Sequence, residues 1–107
     1  MKIQFEPLFL FDGPHIATLT SESGQQYLAV LMSSDSNGDC YLAVKVTGLM
    51  IHWLTQSEIA LDALMRGACQ DGWYELKIDR KEIDESEIVP IEPSFERITK
   101  IPNFRFP

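Results

Sequence analysis

The chain has 107 residues and a formal net charge of −7, from nine Lys and Arg residues against 16 Asp and Glu residues, and this length fits one domain. The negative charge argues against direct binding to nucleic acid, which depends on cationic side chains, and favours a basic protein partner. Two cysteines cannot form a disulfide framework, and no apolar run matches a signal peptide or the ~18 residues of a membrane span, so we expect a cytoplasmic protein that does not engage membranes.

Four segments in the first half of the chain are rich in β-branched and aromatic residues and are separated by turn residues, which predicts strands. They are IQFEPLFLF (3–11), HIATLT (15–20), QQYLAVLM (25–32) and CYLAVKVT (40–47). Pro7 in the first segment suits a sheet edge or a bulge. The tetrapeptide Tyr-Leu-Ala-Val occurs at 27–30 and again at 41–44. We interpret it as parallel use of good strand residues and not as a repeat.

The stretch SSDSNGDC, residues 33–40, places oxygen-bearing side chains at alternate positions, as a calcium loop does. An EF-hand loop also needs Gly at its sixth position and Glu at its twelfth. Counting from Asp35, these positions are Cys40 and Val46. Asn37-Gly38, by contrast, is a strong hairpin signal, because both residues tolerate positive φ. We therefore predict a turn between two strands without a metal site.

The hydrophobic period changes in the middle of the chain. In GLMIHWLTQSEIALDALMRGA (48–68), apolar residues recur at spacings of three and four, which predicts helix. A break at Thr55-Gln56 indicates two short helices at an angle. Ser57 is expected to cap the second helix, and Gly67 is expected to follow its end. The segment GWYELKI (72–78) then predicts a fifth strand.

These segments predict an α+β core domain over residues 1–79, an antiparallel β-meander of about four to five strands with two short helices on one face. Residues 80–107 contain four of the six prolines and a dense charged stretch, which predicts an extended C-terminal arm. Its apolar side chains are candidates for burial on a partner, and its acidic ones for attraction to a basic partner. These candidate partner-binding residues are Ile88, Ile91, Phe95, Ile98, Phe104 and Phe106, with Glu82, Asp84, Glu85 and Glu87. The alternative is that the arm folds back and completes the core of its own domain.

The sequence offers no catalytic or cofactor-binding constellation. Its two histidines and two cysteines lack the close spacing of a zinc site, and there is no glycine-rich phosphate loop. The spacing does not show whether either histidine meets Cys40 or Cys69 as a base meets a nucleophile, and we interpret both histidines as structural or exposed. Trp53, Trp73 and Tyr74 are interpreted as core residues that seal the helices against the sheet, with an aromatic ligand surface as the alternative. We expect neither enzyme activity nor a cofactor.

Three short motifs stand out: FDGP at 11–14, GQQYLA at 24–29 and SEIAL at 57–61. With the acidic loop and the second Tyr-Leu-Ala strand between them, they resemble a family of small bacterial domains of unknown function. Those domains show a Y-D-G/R-P turn, a G-x-x-[FY]-L-A strand and a G-E-I-x-L helix start. Ser57 stands where they usually have Gly. The resemblance covers residues 6–78 and implies no activity.

Size, acidity and the apolar arm favour a small acidic protein-interaction module. It would resemble an antitoxin, immunity protein or inhibitor that binds and neutralises a protein partner such as a toxin or effector. One alternative is a structural module that forms homo-oligomers through its arm. The other is a small-molecule-binding sensor with a pocket where sheet and helices meet, near Asp12, His15 and Trp53.

Overall fold

The structure is a computed structural model that describes residues 2–9, 16–36, 38–78 and 83–106. Within these residues, seven strands form one antiparallel sheet, accompanied by three helices. The strands are β1 (Lys2–Phe9), β2 (Ile16–Ser21), β3 (Gln26–Asp35), β4 (Gly38–Val46), β5 (Trp73–Ile78), β6 (Ile83–Asp84) and β7 (Val89–Ile91). The helices are α1 (Gly48–Thr55), α2 (Leu61–Ala68) and α3 (Phe95–Thr99), with 3-10 turns at Cys69–Asp71 and Glu85–Glu87. The α+β class is confirmed, and the predicted count of four to five strands is too low.

The strand order is β6-β1-β2-β3-β4-β5-β7, so the predicted meander is extended by one short strand at each edge. Both added strands come from the predicted arm: β6 pairs with β1, and β7 pairs with β5. Two or three residues are too few to show the alternation that marks a strand in the sequence. Pro90 in β7 also argued against one, but a proline is tolerated in an outermost strand, where its missing N–H leaves no ladder bond unmade.

The short connection between β6 and β7 shows that the sheet is strongly curled. Neighbouring strands lie ~4.8 Å apart, so the six intervals from β6 to β7 would span roughly 29 Å in a flat sheet. Only residues 85–88 join these strands, and the five residue steps between their ends reach about 17 Å. Phe5 on β1 and Tyr41 on β4 also meet edge to face, with ring centroids 5.6 Å apart, although two strands lie between them. The sheet therefore wraps around the face that carries both rings, which we call the concave face.

The two Tyr-Leu-Ala-Val tetrapeptides pair with each other in β3 and β4. Ala29 lies opposite Ala43, and the Leu of each tetrapeptide lies opposite the Val of the other. Leu and Val thereby face the helices, while Tyr and Ala occupy the concave face. Ala17 on β2 pairs with Ala29 and extends the row of small residues. Because these alanines are small, the rings of Phe5 and Tyr41 can meet above the row. The shared tetrapeptide therefore contributes to the curl of the sheet.

Among the described residues, buried apolar side chains form one core on each face of the sheet. The helix-side core consists of Ile16, Leu28, Val30, Leu42, Val44, Val46, Leu54, Leu61, Leu64, Met65, Ala68 and Ile101. The concave core consists of Leu19, Tyr27, Ala29, Tyr41, Ala43, Leu76 and Ile88. In the described ranges, none of the helices has the length and apolarity needed to cross a bilayer.

Helix α1 ends in a Schellman motif, which produces the predicted break between the two helices. The N–H of Glu58 donates to the carbonyl of Trp53, and the N–H of Ser57 donates to the carbonyl of Leu54. Ser57 itself has a φ of 63°, in the left-handed region that favours glycine.

The C-terminal segment caps helix α2. The prediction that Ser57 caps this helix is wrong, because α2 begins at Leu61 and its N-cap residue, Ala60, makes no side-chain hydrogen bond. The N–H of Leu61 instead donates to the carbonyl of Phe104, 2.8 Å away. The Ser57 hydroxyl donates to the carbonyl of Phe106. A helix terminus that local sequence leaves uncapped is thus completed by residues more than 40 positions away.

Substitutions at position 57 should separate backbone strain from the side-chain hydrogen bond. Ser57→Ala and Ser57→Gly both lose the hydroxyl, but only Gly relieves the left-handed backbone, which costs other residues about 1 kcal/mol. We therefore expect Ser57→Gly to be more stable than Ser57→Ala by about 1 kcal/mol in urea unfolding. At Ser33, an exposed strand residue, the same pair should show the opposite order, since Gly weakens a strand. Equal stability of the two variants at position 57 would contradict this account.

Candidate functional site

Most of the apolar candidates in the arm pack on the chain's own domain. Ile91, Ile98, Phe104 and Phe106 contact the helix-side core, and Ile88 is buried in the concave core. Phe95, by contrast, is 81% exposed. The described part of the arm therefore folds back and packs on its own domain, as the alternative prediction stated. Binding of a partner by these residues stays a prediction.

The acidic candidates lie on or next to the connection between β6 and β7. Asp84 is exposed, and its carboxylate accepts a 2.9 Å hydrogen bond from the N–H of Ser86, which lowers the pKa of Asp84. Glu85 and Glu87 belong to the 3-10 turn that follows, while Glu82 lies outside the described residues. The buried side chain of Ile88, at the end of this connection, belongs to the concave core. The exposed ring of Phe95 lies elsewhere, at the start of α3.

Arg97 fixes α3 to the sheet. Its Nη1 atom lies 2.8 Å from Oε2 of Glu75 on β5, and its Nη2 atom lies 3.8 Å from Sγ of Cys40 on β4. Burial raises the pKa of the Cys40 thiol, and the charge of Glu75 raises it further. A thiol held protonated is a poor nucleophile. The contacts of Arg97 with Glu75 and Cys40 thus hold the folded-back arm on the sheet.

The stretch at 33–40 forms the predicted hairpin turn. Asp35 pairs with Gly38, whose φ is 121°, while Asn37 lies outside the described residues. The hydroxyl of Ser34 donates to the carboxylate of Asp39 across the hairpin. In the described part of the chain, no group of three or more His, Cys, Asp or Glu side chains could hold a metal ion.

Helix α1 presents an apolar face to solvent. Five of its eight residues are large and apolar, yet among them Leu54 alone is fully buried in the described structure. Leu49 is 57% exposed and Trp53 is 39% exposed. These two residues and the exposed His52 lie on one side of the helix, because they are spaced three and four apart. We call Leu49, His52 and Trp53 the α1 face.

This exposure corrects the interpretation of the aromatic residues. Trp73 packs against the helix-side core and Tyr74 against the concave core, as core residues do. Trp53 does not seal α1 against the sheet. A surface helix normally places polar residues on its outer side, but α1 contains no charged residue other than the titratable His52. Among the described residues, the α1 face is therefore one apolar surface that the fold leaves exposed.

A cavity of about 320 Å³ lies beside the N-terminal end of α1. It is bounded by the end of β4, the start of α1 and the end of α2 with its 3-10 turn. Its lining consists of Gln25, Lys45, Val46, Thr47, Met50, Gly67, Ala68, Gln70 and Asp71. It differs from the pocket predicted near Asp12, His15 and Trp53, since Trp53 does not line it and the other two residues lie outside the described ranges.

The exposed α1 face was not predicted, although the sequence contains a signal for it. Apolar residues at consecutive positions, 49–51 and 53–54, leave no polar side on the helix. Such a helix must be enclosed by its own chain or by another molecule.

The comparisons with known proteins identified no relative of this chain. The resemblance to the small bacterial domains consequently stays a prediction that rests on the three quoted motifs. A scan against models of protein families, a search of curated proteins and a search of solved structures each found no match for this chain.

Proposed function

We propose that the chain is a small acidic protein-interaction module that binds a basic protein partner through the α1 face. We infer that the chain neutralises this partner, as antitoxins, immunity proteins and inhibitors do. The observation that carries the proposal is the exposure of Leu49 and Trp53 side by side on a helix without carboxylates or ammonium groups.

The energetics of burial support a contact at this face. Full burial of a large apolar side chain contributes about 1.5–3 kcal/mol, and Trp is among the residues most enriched in binding hot spots. Because α1 is already a folded helix, ordering it on binding costs little conformational entropy. The centre of the contact can also be dehydrated without leaving a carboxylate unpaired.

The charge of the chain supports a basic partner. With a net charge of −7, the chain as a whole attracts cationic proteins and speeds their encounter. The same charge repels a second copy of the chain. The exposure of Phe95 at 81% and Val89 at 50% nevertheless favours one second candidate, a homo-oligomer that forms through the arm.

Partner capture from cells that naturally express the chain tests the proposal. The wild-type chain should recover a basic protein in stoichiometric amount, and the double variant Leu49→Asp/Trp53→Asp should recover less than about a tenth as much, since two hot-spot residues together exceed 1.4 kcal/mol. The matched control is Val89→Asp/Phe95→Asp, which introduces the same two charges at exposed apolar positions of the arm. It should capture the partner as the wild-type chain does.

Circular dichroism should show that both double variants are folded. A partner captured equally by the wild-type chain and the α1 variant would refute the proposal. Self-association of the wild-type chain that only the arm variant abolishes would instead support the homo-oligomer.

A further inference from the structure

Gly67 has no function within the chain that explains it. The expectation that it follows the end of a helix is wrong, because α2 continues to Ala68 and it is Gly72 that has a positive φ, 97°. A Cβ atom added at Gly67 would meet no heavy atom within 4 Å. Glycine within a helix costs about 1 kcal/mol relative to alanine. The bare backbone at this position borders the cavity beside α1.

The cavity combines an apolar wall with acceptor groups. Met50 and Ala68 supply the apolar part, next to the bare backbone of Gly67. The Nε2 atom of Gln25 donates to the carbonyl of Gln26 at 2.8 Å, so the amide oxygen of Gln25 remains an acceptor. Asp71 is exposed and, within the described part of the chain, has no ion pair within 4 Å.

Lys45 is the cation in the lining, and its ammonium group is engaged elsewhere. The Nζ atom lies over the ring of Tyr74, 5.6 Å from the ring centroid. Such a contact is itself favourable for a cation. A hydrogen bond to Tyr74 and, more weakly, the charge of Asp71 raise the pKa of Lys45, so the two charged groups of the lining interact. In the described part of the chain no ion pair within 4 Å engages the carboxylate of Asp71, which is thus the acceptor that the cavity offers to a ligand.

We propose that this cavity receives an arginine side chain of the basic partner, an inference that rests on the proposed function. The aliphatic part of the arginine would pack on Met50 and Ala68 across Gly67, and the guanidinium group would donate to Asp71 and to the amide oxygen of Gln25. Arginine fits better than lysine, because its planar group carries five donors for acceptors on several sides. Met50 belongs to α1, so the cavity lies beside the same helix that carries the α1 face.

An NMR titration of the intact chain with N-acetyl-arginine methylamide tests the inference without the partner. The probe should cause saturable shifts at the amides of Gly67 and Asp71. The citrulline analogue, which has the same shape without the charge, should bind about fivefold more weakly, as loss of one ion pair of about 1 kcal/mol implies. Asp71→Asn should reduce arginine binding to the level of citrulline. Shifts spread evenly over the acidic surface, or equal shifts with both probes, would overturn the inference.

Gly67→Leu supplies the second test. Since a side chain at this position meets no obstruction and Leu is a better helix former than Gly, the variant should fold with unchanged or higher stability. It should abolish the arginine shifts and reduce partner capture at least tenfold. If Leu49→Asp/Trp53→Asp abolishes capture while Gly67→Leu and Asp71→Asn leave capture and shifts unchanged, the α1 face binds the partner and the cavity inference is wrong. If the Leu49→Asp/Trp53→Asp variant captures the partner as well as the wild-type chain does, the proposed function itself is wrong, whatever the NMR titration shows.

Discussion

Deletion of residues 80–107 should leave a chain that does not fold into a stable monomer. The deletion removes Ile88 from the concave core and Ile101 from the helix-side core, both less than 10% exposed. Loss of such a side chain costs about 2–5 kcal/mol, and the stability of a small domain is only about 5–15 kcal/mol in total. The deletion also removes both edge strands and the Phe104 carbonyl that caps α2. Thermal melting followed by circular dichroism, with size-exclusion chromatography, measures the effect.

Single substitutions in the same segment provide the controls. Ile101→Ala should lower the free energy of unfolding by about 2–5 kcal/mol. Phe95→Ala, at an exposed side chain, should change it by less than about 0.5 kcal/mol. A truncated chain that melts at the wild-type temperature would contradict the packing described for the arm and would support the sequence-based boundary at residue 79.

Replacement of Ala29 by leucine should destabilise the chain by about 1–3 kcal/mol, the usual cost of overpacking a core. Ala29 is fully buried at the centre of the concave face, opposite Ala43. Phe5 and Tyr41 meet on this face across two intervening strands, so a larger side chain must either push these rings apart or open the curl. Urea unfolding measures the loss, and the near-ultraviolet circular dichroism signal of the aromatic rings should weaken with it.

The matched control for this substitution is Ala63→Leu. Ala63 is exposed on α2, and Leu is nearly as good a helix former as Ala, so stability should be almost unchanged. If Ala29→Leu were equally neutral, the concave face would have room for a larger residue, and the row of alanines would have no part in the curl.

Much of the sheet could be predicted from the sequence because its signals are local. The alternation within β2 to β5 and the turn residues between them place each strand to within three residues, and Pro7 does coincide with a bulge in β1. The two edge strands could not be predicted, since β6 and β7 contain only two and three residues, and β6 also depends on pairing with the distant strand β1. The cap of α2 was misassigned for the same reason. Ser57 is a good capping residue by type, but the acceptor that caps the helix is a carbonyl of Phe104.

The candidate site was harder to predict than the fold. Composition indicated correctly that the apolar side chains of the arm require burial, but the same composition suits a chain's own core as well as a partner. The consecutive apolar residues of α1 resemble those of a fully buried helix, and only the packing shows that Leu54 enters the core while Leu49 and Trp53 remain exposed. Gly67 was assigned to a helix end because glycine is common there, which concealed its place in the cavity.

The pairing of the two tetrapeptides separates early from late events in folding. Asp35 pairs with Gly38 and Ala29 with Ala43, so the β3–β4 hairpin joins residues that are close in the chain. Lys2 and Asp84, which pair at one edge of the sheet, are 84 − 2 = 82 positions apart. Closure of the longer loop costs more chain entropy, and topologies rich in local contacts form faster. We therefore expect the β3–β4 hairpin to form early and the β1–β6 pairing to form late. We expect the short β6 edge to be among the first parts of the native sheet to open, which would give a protease or an unfolding machine its first access to the chain there.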